Sequence, residues 1–207
     1  MKFCVSLFLS LPLYGAFCGC GGTSVQQYFP LKEGAKWNYS LELLMPFGNV
    51  VKGELVSRID GMEEVGGKDY YKLVSVSSGI PGAEPEYQFM RVDDKGVYAI
   101  DSKNRDFGEY LVAPVPFQAG GSWEVVSSKG KQTCTLESFE PAEMIEEKFD
   151  NCARISCKGE LSEDGRSMDV ESTTHRCPGI GLVKENSKFT VDFNSISATQ
   201  ALTKYEG

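Results

Sequence analysis

The chain has 207 residues, of which 41% are hydrophobic and 11% aromatic, so it can bury a core and is not a disordered chain. Its formal net charge is −8 and no Lys or Arg cluster stands out, which argues against nucleic acid as a partner. The length suits one sizeable domain or two small ones.

The N-terminal segment, residues 1–19, is a predicted export signal. A basic Lys2 precedes an uncharged apolar run that is shorter than the roughly 20 apolar residues of a membrane span. The run ends in the pattern of a lipobox, the bacterial signal in which small residues precede a cysteine that is diacylated. We predict Cys20 as the lipidated residue, since Cys18 follows the bulky Phe17 and fits the pattern poorly. Plain secretion without lipidation is the alternative.

Acylation of Cys20 predicts a lipid bilayer as the first partner, because each buried methylene contributes about 0.8 kcal/mol. Gly21 stands where an Asp usually signals retention in the inner membrane of Gram-negative bacteria. We therefore expect a location in the cell envelope, at the outer membrane, facing the periplasm or the surface. Residues 20–27 are small and polar and predict a tether, which leaves 28–207 for the folded domain.

Beyond the tether the chain alternates between strands and turns. In "AKWNYSLELL", Trp37 and Tyr39 fall on one face and Asn38 and Ser40 on the other, which is the period of a half-buried strand. Further strands are predicted, in chain order, at GELVSRI, DYYKLVSVS, EYQFMRV, GVYAI, SWEVVSS, QTCTLES, NCARISC, SMDVEST, GLVKE and FTVDFNSISATQAL. Turn signals such as Gly66-Gly67 separate them, so the pattern predicts an all-β antiparallel domain.

Two parts of the chain resemble each other. "FPLKEGAKWNY" matches "VPFQAGGSWEV", and the only two tryptophans, Trp37 and Trp123, are 86 residues apart. "RVDDKGVY" and "RCPGIGLV" begin at Arg91 and Arg176, an offset of 85. We predict tandem repeats of about 85 residues, roughly 28–113 and 114–207, that form one curved sheet, half-barrel or barrel.

The cysteines of the folded domain number four once Cys20 is lipidated, and an even number in an exported protein predicts two disulfides. Cys152 and Cys157 are five residues apart on one strand and face opposite sides, so they do not pair with each other. Matching the faces predicts Cys134–Cys157 inside the sheet and Cys152–Cys177 on its outer, polar face.

Catalytic and metal signals are weak. His175 is the only histidine, and its strand parity predicts an exposed structural side chain on the polar face. A hydrolase that combines His175 with nearby carboxylates is the enzymatic alternative. The cysteine spacing is a poor match to a zinc site. We predict no cofactor, no metal and no catalytic residue.

The aromatic residues offer a binding hypothesis instead. A curved sheet could place inward-facing side chains around an apolar cavity for a hydrophobic ligand. The residues predicted to line it are Trp37, Tyr39, Tyr71, Phe89 and Trp123. The alternative is that they fill a core.

The entry "YFPLKEGAKWNY" and the exit "PGIGLVK" resemble a group of small bacterial lipoproteins that carry Y-x-P-L-x-x-G-x-x-W-x-Y and P-G-x-G-L-V segments. A more distant likeness joins the chain to periplasmic half-barrel lipoproteins, some of which carry lipids. We predict a membrane-anchored, non-enzymatic module for envelope binding or assembly, with a hydrophobic ligand or an envelope protein as its partner. The resemblance itself carries over nothing functional. It implies no catalytic residues.

Overall fold

The computed structural model describes residues 24–144, 147–163 and 165–207. The predicted signal, Cys18 and the predicted lipidation site Cys20 lie outside these ranges. No helix within them is long and apolar enough to cross a membrane. The helices of the described residues are short 3-10 segments at Val25–Tyr28, Pro46–Gly48 and Ser102–Phe107.

Twelve strands make up most of the described chain. They are β1 Lys36–Leu44, β2 Val50–Val65, β3 Lys68–Ser78, β4 Glu86–Val92, β5 Gly96–Asp101, β6 Tyr110–Pro114, β7 Ser122–Ser127, β8 Gly130–Met144, β9 Glu147–Glu163, β10 Arg166–Cys177, β11 Gly181–Val191 and β12 Asn194–Glu206. At the predicted turn between β2 and β3, Gly66 and Gly67 have φ of 61° and 77°, the positive values that tight hairpin turns need.

The strands form a single antiparallel sheet that is nearly closed into a barrel. Except for β6 and β7, which are the two edges, each strand pairs with its neighbours in the chain, and β1 also pairs with β12, which gives the order β6 to β1 followed by β12 to β7. The two edge strands approach each other, since Trp123 Nε1 on β7 donates to the carbonyl of Val112 on β6 at 2.8 Å. The all-β antiparallel prediction and the barrel are confirmed.

The N-terminal segment covers the end of the barrel where β10 ends and β11 begins, called here the capped end. Val25 and Tyr28 are 1% and 0% exposed and pack in a cluster with Phe117 and Trp123. Gly179, in the β10–β11 turn, donates its N–H to Gln27 O at 2.7 Å. Residues 24–27 were predicted as tether, but the segment from Val25 belongs to the core.

The predicted repeats correspond to six strands each, β1–β6 and β7–β12. Trp37 and Trp123 are the second residues of β1 and β7. Arg91 and Arg176 are the last but one of β4 and β10. These pairs occupy equivalent places in the two halves of the sheet. The duplication itself stays a prediction.

The last predicted strand is two strands. "FTVDFNSISATQAL" turns at Asp192 and Phe193, between β11 and β12, and Asp192 has a φ of 53°. Phe193 is fully exposed at this turn, as Phe47 is in the β1–β2 connection. The sequence did not predict this turn because it has neither Gly nor Pro there.

Candidate functional site

The interior of the barrel contains a cavity of about 390 Å³. Side chains from every strand except β5 line it, together with the N-terminal segment. The lining residues from β1, β2, β7, β9 and β11, for example, are Trp37, Tyr39, Leu55, Ile59, Trp123, Val125, Ile155 and Leu182. The cavity is therefore a product of the closed sheet, since no single hairpin could form it.

The polar side chains of the cavity wall are mostly bonded to each other. Ser57 and Ser75 share a hydrogen bond of 2.8 Å between their hydroxyls across β2 and β3. Gln88 Nε2 donates to the Tyr110 hydroxyl at 2.8 Å. Such mutual bonds satisfy polar groups without water, so this part of the wall can remain in contact with an apolar chain.

Three of the predicted aromatic residues line the cavity: Trp37, Tyr39 and Trp123. The Trp37 indole N–H donates to Ile180 O at 2.6 Å, and the Tyr39 hydroxyl donates to Leu182 O at 3.1 Å. Burial raises the pKa of Tyr39, so its phenol is neutral at physiological pH. Each aromatic presents an apolar ring to the cavity while its polar atom bonds to the backbone.

The other two predicted residues do not line it. Tyr71 packs against the buried cluster that contains Trp37. Phe89 lies on the opposite face of β4 from Met90, which lines the cavity, so that prediction is wrong. The reason is that the outer face of β4 is also covered: Arg105, from the 3-10 helix Ser102–Phe107, lies 4.4 Å from the Phe89 ring.

The two predicted disulfides, Cys134–Cys157 and Cys152–Cys177, are both present. Cys134 and Cys157 are directly paired on β8 and β9 and line the cavity, as the inside assignment predicts. The outside assignment for the second pair is wrong, because Cys152 and Cys177 are 0% and 1% exposed.

The burial of the second disulfide has a local cause. The pairing register shifts between β8 and β9 at Glu140/Ala142, next to Cys152, and between β10 and β11 at His175/Arg176, next to Cys177. Such bulges interrupt the strict alternation on which face matching relies. Ala142 belongs to the same buried cluster as the disulfide, and Phe149 and Ile180 pack against that cluster.

His175 is less exposed than predicted and is not isolated. Its side chain is 17% exposed, and Nε2 lies 3.2 Å from Oε1 of Glu140. Ser138 Oγ donates to the other oxygen of Glu140 at 2.8 Å. Hydrogen bonds from Ser138 and then His175 hold the pKa of Glu140 below its ordinary value.

This cluster lacks the order that a catalytic triad needs. Ser138 and His175 bond to different oxygens of Glu140 rather than to each other. The Nδ1 atom of His175 is buried and has no hydrogen-bond partner among the described residues. Among the described residues, no hydroxyl or thiol bonds to His175, so this cluster gives no support to the hydrolase alternative. Anywhere in the described ranges, no group of three or more His, Cys, Asp or Glu is arranged to hold a metal ion.

Sequence reasoning missed Arg176 as a cavity residue. It is half-buried on β10 and lines the cavity near the capped end, where its guanidinium lies 4.2 Å from the Phe29 ring. Of the residues that line the cavity, it is the one with a formal charge. The parity of "STTHRC" could have revealed it, since Val170 is buried and Arg176 is six residues further on the same face.

A second, polar cavity of about 200 Å³ adjoins the first and is called here the vestibule. It shares the lining residues Leu73, Ser75, Gln88 and Tyr110 with the main cavity. Its other walls come from the start of β4, the ends of β5 and β7 and the β5–β6 and β7–β8 connections, at the end of the barrel opposite the capped end. The vestibule therefore leads from that opposite end to the apolar interior.

No known protein family model matches the chain, and no curated protein matches it either. Two solved structures are similar. A candidate exported protein with a YmcC-like fold from Bacteroides fragilis has 12% identity and a TM-score of 0.55 over 87% of this chain and 99% of its own. A candidate lipoprotein from Parabacteroides distasonis has 12% identity and a TM-score of 0.49 over 86% of this chain and 98% of its own. At this identity, the first similarity shows a shared fold.

Proposed function

We propose that the protein is a lipid-anchored cell-envelope protein that binds the apolar chain of a hydrophobic ligand inside its barrel. The cavity carries this proposal. Its volume of about 390 Å³ lies within the range of about 300–1,000 Å³ that is usual for ligand sites. Its wall is mainly aromatic and aliphatic, with a few polar groups, which is the usual composition of such sites.

The anchoring part of the proposal is supported by the sequence. The apolar run before Cys20 has the length and ending of a lipoprotein signal. The solved structure that shares the fold is described as a candidate exported protein, which agrees with an envelope location. An outer-membrane position and an envelope protein as a further partner remain parts of the proposal.

Ligand binding is tested with the full chain held in polymer-bounded lipid discs, which avoids free detergent. We expect native mass spectrometry of the intact complex, or titration with dodecanol, to reveal one bound chain per protein. The matched variant Leu55→Trp puts a bulky ring on the cavity wall and should reduce binding. A chain that binds no apolar ligand in either assay contradicts the proposal.

Lipidation is tested separately by mass and fractionation. In a bacterial host, Cys20→Ala should remove the acyl mass from the N-terminal peptide and release the protein from the membrane fraction. Cys18→Ala is the matched control and should leave both unchanged. Retention of the acyl mass in Cys20→Ala would assign the anchor elsewhere.

A further inference from the structure

Arg176 is a charged residue in the wall of a mainly apolar cavity. Its hydrogen bonding differs from that of Arg91, which lies at the equivalent position in the first half of the sheet. Arg91 Nε and Nη2 bond to the two oxygens of Glu109 at 2.5 and 2.6 Å, and Nη1 bonds to Asp93 at 2.5 Å. Within the described residues, Arg176 donates no hydrogen bond and has no carboxylate within 4 Å. Arg91 is thus neutralised by direct contacts, whereas Arg176 faces the cavity with no described carboxylate in direct contact.

Nearby groups do not replace that counterion. Tyr39 is a neutral phenol whose hydroxyl is already bonded to Leu182 O. Glu185 is opposite Gln200, which lines the cavity, so its side chain is on the interior face. Its carboxylate accepts a hydrogen bond from Ser187 Oγ at 2.7 Å and forms no ion pair with Arg176.

The environment makes an anion favourable at this position. Burial lowers the pKa of Arg176, and the negative charge of Glu185 only partly offsets that effect. An arginine keeps its proton in proteins, so the guanidinium remains charged and its five donors need acceptors. Carboxylates and phosphates provide two parallel acceptors in the geometry of this fork.

We propose that the ligand of the cavity is an acidic amphiphile with a single apolar chain, whose carboxylate or phosphate head pairs with Arg176 near the capped end. The chain then lies along the aromatic and aliphatic wall towards the vestibule. This inference rests on the proposed function, because it requires the cavity to bind an apolar chain. It adds the chemical class of the ligand and its direction in the barrel.

Three probes of equal chain length test the head group: dodecanoic acid, dodecyl phosphate and dodecanol. They are titrated calorimetrically at neutral pH into the full chain in lipid discs, with protein-free discs as the blank. We expect at least one acid to bind about tenfold or more tightly than dodecanol, since charge-assisted bonds are among the strongest hydrogen bonds. The tighter of the two acids distinguishes a carboxylate from a phosphate head.

The variant Arg176→Met retains an apolar side chain of similar length and should remove this preference while leaving dodecanol binding intact. Arg58→Met, which deletes one positive charge from the exposed surface of β2, is the matched control and should keep it. Arg176→Gln is a second variant in case the first does not fold. If the wild type binds all three probes equally, the head-group inference is wrong but the apolar cavity stands. If it binds none, the proposed function fails as well.

Discussion

Trp37 and Trp123 lie at equivalent positions of β1 and β7, and both face the same cavity from different sides of the barrel. Each indole N–H donates to a backbone carbonyl, of Ile180 and Val112 respectively. Because the chain has only two tryptophans, its tryptophan fluorescence, excited selectively over that of the tyrosines, reports on the interior of the barrel.

The first prediction uses this fluorescence. We expect 2-bromododecanoic acid to quench the tryptophan emission with saturation, since a bromine beside a head group at Arg176 would lie at the capped end, where both indoles bond to the backbone. Trp37→Phe and Trp123→Phe should each retain a quenchable signal from the remaining tryptophan. Bromoacetate, which carries bromine without an apolar chain, is the control and should give no saturation. Quenching that rises linearly with both compounds would indicate collisions in solvent rather than a bound ligand.

The second prediction concerns the acid stability of the outer cluster around Glu109. This carboxylate accepts hydrogen bonds from Arg91, Tyr70 and Lys68. The bonds from Arg91, followed by those from Tyr70 and Lys68, lower the pKa of Glu109 to about 2. A lowered pKa means that Glu109 stabilises the fold above its unfolded pKa of about 4.3, and that this contribution is lost as the pH falls towards 2.

We expect Glu109→Gln to reduce the free energy of unfolding at neutral pH by roughly 1–2 kcal/mol, since partial solvation weakens the ion pair. The deficit should shrink below about pH 4, where the wild type also loses its charge. Urea unfolding at several pH values measures both effects. Glu84→Gln, in the exposed β3–β4 loop, is the control and should change neither. A deficit that is constant with pH would mean that the charge of Glu109 has no role.

The third prediction concerns the order in which the disulfides are reduced. Cys157 is half-buried on the cavity wall, whereas Cys152 and Cys177 are almost completely enclosed. We expect mild thiol treatment followed by alkylation to label Cys134 and Cys157 first, because attack requires access to a sulfur atom. Peptide mass mapping over time measures the order. Labelling of the enclosed pair first would contradict it.

The disulfides also predict how the free energy of unfolding changes when both cysteines of one bond are replaced. Each bond closes a loop of similar length, with sequence separations of 23 and 25. Replacement of either pair by Ala should therefore lower the free energy of unfolding by about 3 kcal/mol. Only the Cys134/Cys157 replacement should also change the affinity for dodecanol, because only that pair lines the cavity.

The fourth prediction tests the electrostatics around Arg176. Removing the charge of Glu185 should increase the affinity for an anionic head group, since the two negative groups repel each other within the interior. We expect Glu185→Gln to bind dodecanoic acid roughly two- to tenfold more tightly and dodecanol with unchanged affinity. Glu54→Gln, exposed on β2, is the control. Weaker binding of the acid to Glu185→Gln would assign Glu185 to the ligand site itself.

The sequence by itself determined the fold class and the inward face of β1. Trp37 and Tyr39 alternate with polar residues over a stretch without Gly or Pro. This period of two indicates a strand of a half-buried sheet, with both aromatic residues on its buried face. The disulfide partners also followed from the sequence, because strand parity separated Cys152 from Cys157 and matched the faces within each pair. These features depend on neighbours in the chain or on one neighbouring strand.

Tertiary structure alone decided which residues form the site. Phe89 was predicted to face the cavity, but it is buried on the outer face, beside Arg105 of the 3-10 helix Ser102–Phe107. The Cys152–Cys177 disulfide was predicted on the outer face, but it is buried next to two bulges. Arg176 seemed to be an ordinary polar residue of a polar strand. Parity with Val170 gives its face, but only the closed sheet shows that this face lines an apolar cavity, because the cavity depends on strands that are distant in the chain.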